Sequence, residues 1–388
     1  MAANSPHPLR LRERPDFEKG GGRLRVVDLF AGCGGLTLGA AQAAYERGAA
    51  LDVPLAVDFE QAPIDVFGVN FPKARTQRAA VETFFDGDIG APLTVVEAQT
   101  AATVGELDLL VGGPPCQGHS NLNNHTRRDD PKNRLYLRMA RAAEVLRPRV
   151  LVVENVPAVV HDRQNVVEVA EAHLESIGYH VATTVVELVR LGIPQTRRRH
   201  IMLAARADVL PQGESVDAVL QLGEGAVHDL RWAIQDLENI HGERGFDKPS
   251  RANSENQARI DWLHDNDQLN LPNARRPVCH QGKHSYVSMY GRLSWDQPAQ
   301  TITSGFGSMG QGRYVHPSQR RTLTPHEAAR IQGFPDYFRF DSTVTRTQLS
   351  VIIGNAVPPG LSRVLTSRLF DAGVLSKGTR ATESQIAV

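Results

Sequence analysis

Four side chains in this sequence have the types and surroundings to act together chemically: Cys116, Glu154, Arg197 and Arg199. Cys116 lies in D-L-L-V-G-G-P-P-C-Q-G-H-S, residues 108–120. The apolar run 107–111 has strand length, and Gly112-Gly113-Pro114-Pro115 ends it abruptly. Two glycines let backbone approach a ligand closely, and two prolines stiffen the turn that follows. The pattern predicts a thiol at the carboxyl end of a parallel strand, where open α/β sheets place their ligands. An isolated cysteine is ordinarily a small core residue. Pro-Pro-Cys-Gln is too polar and too constrained for that role, and Cys116 reads as a nucleophile. Glu154 ends the buried run V-L-V-V, 150–153, on the same rim, where a lone charge is costly without a purpose. Three consecutive arginines, 197–199, ordinarily make a solvated face. Alternation along an extended segment sends Arg197 and Arg199 to one side, where two guanidinium groups can grip a phosphate and a base edge.

The elements that must position these groups follow from periodicity. Residues 24–30, L-R-V-V-D-L-F, read as a buried strand, then comes A-G-C-G-G (31–35) and a helix over 36–47. Strand, glycine-rich turn and helix form the first unit of a nucleotide-binding α/β fold, with helix-start N–H groups open to a ligand. A second strand over 53–59 ends in Asp58-Phe59-Glu60. An acid there suits a ribose diol and an aromatic covers an adenine; as a plain structural feature, Asp58 caps the helix over 61–70. Asp88-Ile89 reads as a third strand end. Residues 117–132 read as a mobile loop and 133–146 as an amphipathic helix. Strands over 181–189 and 201–204 form an antiparallel pair. Thr324-Pro325-His326-Glu327 carries a capping box that starts a helix ending near Gly333.

The chain has 388 residues, 41% hydrophobic and 22% charged, with zero formal net charge. That is ordinary for a folded protein with one large and one smaller domain, and any polyanion-binding surface must be a local basic patch. Three scattered cysteines exclude a disulfide framework and fit a reducing compartment. No apolar run approaches a membrane span and no signal peptide is evident, so a cytoplasmic, nucleoid-associated protein is expected, without membrane or metal. The expected organisation is a disordered tail over 1–22 and a catalytic, cofactor-binding domain over 23–206. A second, smaller domain over 207–345, a segment over 346–374 and a tail over 375–388 follow. Residues 280–292 and 313–321 supply side chains suited to phosphate and base contacts.

Six segments in this order, D-L-F-A-G-C-G-G, G-G-P-P-C-Q-G-H-S, E-N-V, Q-T-R-R-R, R-x-L-T-P-x-E-A-A-R-I-Q-G-F-P and I-G-N-A-V-P-P, resemble the C5-cytosine DNA methyltransferase family of bacterial restriction–modification systems. The resemblance covers most of the chain outside 206–290. It implies a Rossmann-like S-adenosylmethionine-dependent sheet with helices on both faces, and a smaller irregular target-recognition domain. It implies S-adenosylmethionine held by Phe30, Gly32, Gly34, Asp58, Phe59, Asp88, Ile89, Pro114 and Asn355, with Phe59 standing where the family often has tryptophan. It also implies that Cys116 adds to cytosine C6, Glu154 bonds the N3 side and Arg199 contacts the base oxygen with Arg197 nearby. The substrate is then a cytosine flipped out of duplex DNA. A monomer is expected, with a cognate restriction endonuclease as a partner of the system.

Competing readings are an RNA (tRNA) cytosine methyltransferase of the same fold, a non-catalytic DNA-binding relative, and a thiol hydrolase. The second domain lacks the Cys-Phe-Thr tripeptide of the tRNA-modifying branch. The chain keeps both Cys116 and Glu154, and it offers no His/Asn pair for a hydrolase.

Overall fold

The computed structural model describes residues 7–115, 134–240, 242, 245–281, 288–340 and 344–376. Contacts divide the chain into two units, one built on the sheet and a smaller one. The sheet unit runs from Pro15 to Glu187, then Arg198–Gly223, then Val357 onward. Its elements in order are β1 (Gly22–Leu29), α1 (Gly35–Glu46), β2 (Ala49–Asp58), α2 (Gln61–Asn70), β3 (Thr76–Arg78), α3 (Val95–Val104), β4 (Leu109–Gly112), α4 (Arg134–Leu146), β5 (Val150–Asn155), α5 (Val166–Ser176), β6 (Tyr179–Glu187), β7 (Arg198–Arg206) and α6 (Val216–Leu220).

The seven strands lie in the order β3-β2-β1-β4-β5-β7-β6. Pairs from β3 to β5 are parallel, whereas β7 runs antiparallel between β5 and β6. The order reverses between β1 and β4, which opens a crevice at their carboxyl ends. The central strands are apolar on both faces because helices cover both, and Val27, Leu29, Leu110, Leu151, Val153 and Met202 join α4 and α5 in one core.

One buried ion pair holds the α3–α4 edge. Arg141 of α4 and Glu97 of α3 are both fully buried, with Nη2–Oε2 at 2.6 Å and Nε–Oε1 at 2.9 Å. Burial pushes the Glu97 carboxyl up, but Arg141 and the N–H groups of Thr94 and Gly87 outweigh it and hold it down at about 2. Removing one partner leaves an uncompensated buried charge. Arg141→Met is therefore expected to lower the unfolding free energy by about 3–5 kcal/mol in urea titration; a loss under about 1 kcal/mol contradicts this account.

The smaller unit gathers the described residues up to Arg14, Leu188–Arg197 and Glu224–Ala356. It holds α7 (Leu230–Ile234), α8 (Ser254–Asp265), β8 (Gly291–Arg292) paired with β9 (Arg313–Val315), α9 (Pro325–Ile331) and α10 (Arg346–Asn355). The boundaries expected at 206/207 and 345/346 fall instead at 223/224 and 356/357. The capping box forms as read: Thr324 Oγ1 accepts from Glu327 N at 3.1 Å, and Thr324 N donates to Glu327 Oε2 at 2.8 Å.

The chain then rejoins the sheet unit through α11 (Pro359–Asp371), which packs along α1. The crossing is so close that a Cβ on Gly39 of α1 would lie 2.1 Å from the Pro359 carbonyl oxygen. Only hydrogen fits there, with Arg363 N and Ser362 Cβ also within 3 Å of that position.

The first 22 residues were expected to be disordered, and the described part of them, 7–22, is not. Phe17 is 1% exposed, and its carbonyl accepts from Leu51 N at 2.6 Å. In the smaller unit, Leu9 is buried and its carbonyl accepts from Asp336 N at 3.0 Å. Two apolar anchors are enough to order a segment whose average composition is Arg-, Pro- and Gly-rich. The tail expected after 375 lies, beyond residue 376, outside the described residues.

Candidate active site

Glu154 sits one residue before the end of β5, opposite Ile201 of β7. Directly opposed residues share a face, and so does Arg199, two positions before Ile201. The result is an ion pair between Arg199 Nε and Glu154 Oε1, with both side chains nearly buried. Arg199 offsets the cost of burying the carboxylate and is itself held ready beside it.

Arg197 does not join them. β7 begins at Arg198, so strand alternation does not extend to Arg197. Its guanidinium instead donates to the Ile302 carbonyl at 3.2 Å within the smaller unit, at 3% exposure. There Gln195 Nε2 donates to Gln332 Oε1 at 2.7 Å, and Gln332 Nε2 to the Ile353 carbonyl at 2.6 Å. The two arginines are thus not aimed together. Arg197 pins a buried polar hub, and Arg198, mostly exposed, lies 3.8 Å from Glu187.

Cys116 and the loop 117–132 lie outside the described residues. The turn leading to Cys116 does not. A Cβ on Gly113 would fall 3.1 Å from Glu154 Oε2 and 3.6 Å from Val357 Cγ2, so the backbone two residues before Pro115 runs against the carboxylate. A side chain at 113 would require Glu154 to shift by a few tenths of an ångström. Pro114 is buried, and its carbonyl accepts from Asn155 Nδ2 at 3.2 Å. Neither Asn155 nor Val357 was singled out from the sequence; both stand beside recognised motif residues, which is the signal that was available.

The glycine turn between β1 and α1 has Phe30, Gly32 and Gly34 all at positive φ: 57°, 53° and 93°. For a phenylalanine that conformation is strained, and such outliers cluster at binding sites. Asp58, at the end of β2, accepts from Gly32 N at 2.8 Å and from Glu60 N at 2.9 Å. Burial holds its carboxyl above the ordinary value. The helix-cap reading of Asp58 fails, because Glu60 occupies the N-cap of α2. Phe59 is 69% exposed beside it.

Asp28, on β1, is fully buried with Oδ2 accepting from Thr37 Oγ1 at 2.6 Å, while Oδ1 has no hydrogen-bond partner. Burial raises its carboxyl to about 8. Cys33, buried in the same turn, has its thiol pushed up to about 12 by burial, so it is not a nucleophile.

Asp88 and Ile89 are not a strand end. β3 ends at Arg78, and Ala79 continues it, its N–H donating to the Asp58 carbonyl. The 86–92 turn is drawn away by α4: Arg138 bonds the Gly87 carbonyl, Arg141 the Ala91 carbonyl at 2.8 Å, and Gly90 N donates to Glu144 at 3.1 Å. Ile89 packs on the core shared with α4 and α5. Asn355 is exposed at the last position of α10, in the smaller unit.

Among the described residues, no helix is long and apolar enough to cross a membrane.

The model of the C-5 cytosine-specific DNA methylase family matches residues 24–371. The chain is 42% identical over 358 residues to the Type II methyltransferase M1.BsuMI of Bacillus subtilis, covering 92% of this chain and 83% of that protein. It is 29% identical over 376 residues to the Type II methyltransferase M.XorII of Xanthomonas oryzae, covering 89% and 84%. Among solved structures, the Schizosaccharomyces pombe Dnmt2 methyltransferase superposes with a TM-score of 0.60 at 19% identity, over 90% of this chain and 99% of that one, a likeness of fold. With a mostly parallel seven-stranded sheet, a carboxylate–arginine pair at its carboxyl rim and a family match that spans nearly the whole chain, the protein belongs to the C-5 cytosine-specific DNA methylases.

Proposed function

We propose that the protein transfers the methyl group of S-adenosylmethionine to C5 of a cytosine flipped out of a specific duplex site, protecting DNA in a restriction–modification system. The observation that carries this reading is the buried Glu154–Arg199 pair against Gly113, three residues before Cys116. Cytosine C5 is a poor nucleophile until a group adds at C6. The Cys116 thiolate forms a bond to C6 while Glu154, hydrogen-bonded on the N3 side, favours the protonated ring, and Arg199 steadies the base oxygen. The ring electrons released toward C5 let that carbon take the methyl group. Loss of the C5 proton then restores the C5–C6 double bond as the C6–S bond breaks. Such attack is impossible within the stack, hence a flipped base.

The residues present fit the cofactor. Gly32 has open space where a Cβ would stand, and Phe30 beside it is held at a positive φ of 57°. S-adenosylmethionine supplies an electrophilic methyl on a sulfonium. Phe30, Gly32 and Gly34 would hold it through backbone, Asp58 through the ribose hydroxyls and Phe59 over the adenine, with Pro114 a further contact. Phe59→Ala is expected to weaken S-adenosylhomocysteine binding about tenfold in calorimetric titration, since a stacked base contributes roughly 1–3 kcal/mol. Unchanged affinity removes Phe59 from the site.

Bisulfite sequencing of plasmid DNA from cells expressing the protein tests the whole reading. Protected cytosines at one recurring sequence are expected. An expressed, folded protein that protects none overturns it, and methyl incorporation into tRNA instead of duplex DNA moves the substrate to RNA.

A further inference from the structure

Asn155 follows Glu154 and leaves the sheet on the opposite face, the face covered by α4, where Tyr136 Oη reaches Met202 Sδ at 3.8 Å. It is 3% exposed. Its Oδ1 accepts from Val156 N at 2.7 Å, which fixes the amide orientation, so Nδ2 must face the Pro114 carbonyl at 3.2 Å. The turn it touches is short of other anchors. Pro114 and Pro115 have no N–H, so two successive residues before Cys116 offer only carbonyls for tethering. Directly across from Asn155, on β7, is His200, 2% exposed and on the same face, with no hydrogen-bond partner at Nδ1 among the described residues. Burial pushes its imidazole below the ordinary value. A neutral ring there walls the amide in without presenting a competing cation.

We propose that Asn155 is a positioning residue for the nucleophile, fixing through the Pro114 carbonyl the turn from which Cys116 is presented, with His200 as its lateral wall. The inference rests on the reading of Cys116 above. Asn155 leaves the sheet on the face opposite Glu154, so its loss should slow chemistry far more than it weakens ligand binding. A displacement of about 1 Å at a reacting group costs on the order of 10²-fold.

The full chain and its Asn155→Ala and Asn155→Asp variants are compared in methyl transfer to duplex DNA, covalent trapping on 5-fluorocytosine duplex, S-adenosylhomocysteine titration and thermal melting. For Asn155→Ala, kcat and the trapping rate fall together by about 10²-fold, while KM for DNA stays near wild type, S-adenosylhomocysteine affinity falls far less than kcat, and Tm falls by no more than a few degrees. Asn155→Asp keeps the volume but sets a carboxylate oxygen against the Pro114 carbonyl. Its deficit matches Asn155→Ala at neutral pH and narrows as the pH is lowered, because a protonated carboxyl donates again. Wild-type kcat in Asn155→Ala, or a loss shared equally by S-adenosylhomocysteine binding and Tm, overturns the proposal. A wild-type chain that forms no adduct overturns the Cys116 reading instead.

Discussion

Cys116→Ser is expected to abolish methyl transfer to duplex DNA and covalent trapping, while S-adenosylhomocysteine binds nearly as to wild type. A thiol of ordinary pKa is a few per cent thiolate near neutrality and intrinsically very nucleophilic, whereas a serine hydroxyl needs a dedicated base. None is indicated here: Glu154 is engaged by Arg199 and assigned to the N3 side of the base. The glycine turn and the end of β2, which would hold most of the cofactor, are separate segments from residue 116, and Cys116→Ser leaves the Pro114 backbone unchanged. Binding and chemistry should therefore part cleanly. Full methyl transfer by the serine variant would refute the nucleophile assignment, and loss of cofactor binding in parallel would show a structural defect.

Glu154→Gln is expected to lower the single-turnover rate by about 10²–10⁴-fold, the range of a general acid–base contribution. Glutamine preserves the volume and can still hydrogen-bond the base, so what it removes is the proton and the charge. The same change leaves Arg199 nearly buried without its counter-charge, which carries a stability cost of its own. Rate and melting temperature must be read together, with the single-turnover rate taken well below the variant's own melting temperature. A rate still lost there, with the protein folded, supports the catalytic role; a near-normal single-turnover rate in Glu154→Gln contradicts it.

Much of the framework was legible because it is local. The alternation and apolar runs of β1, β2, β4 and β5, the glycine turn, and the Thr324 box all arise from residues within a few positions of one another. The errors came from long-range partners. D-G-D-I-G reads as a strand end until Arg138, some fifty positions later, captures the Gly87 carbonyl, and Arg141 those of Ala91 and Pro92 just after it. A tail that looks unstructured on average is ordered by contacts far along the chain, the buried Leu9 and Phe17 among them.

By itself the sequence determined which groups are available for chemistry and the rim on which Glu154 stands, because strand period dictates facing. Tertiary structure alone decided that Arg199 meets the carboxylate while Arg197 serves a buried hub, and that Asn155 holds the Pro114 carbonyl. Those outcomes depend on where β7 begins and on its antiparallel register with β5, and hydrogen bonding between strands distant in the chain sets both.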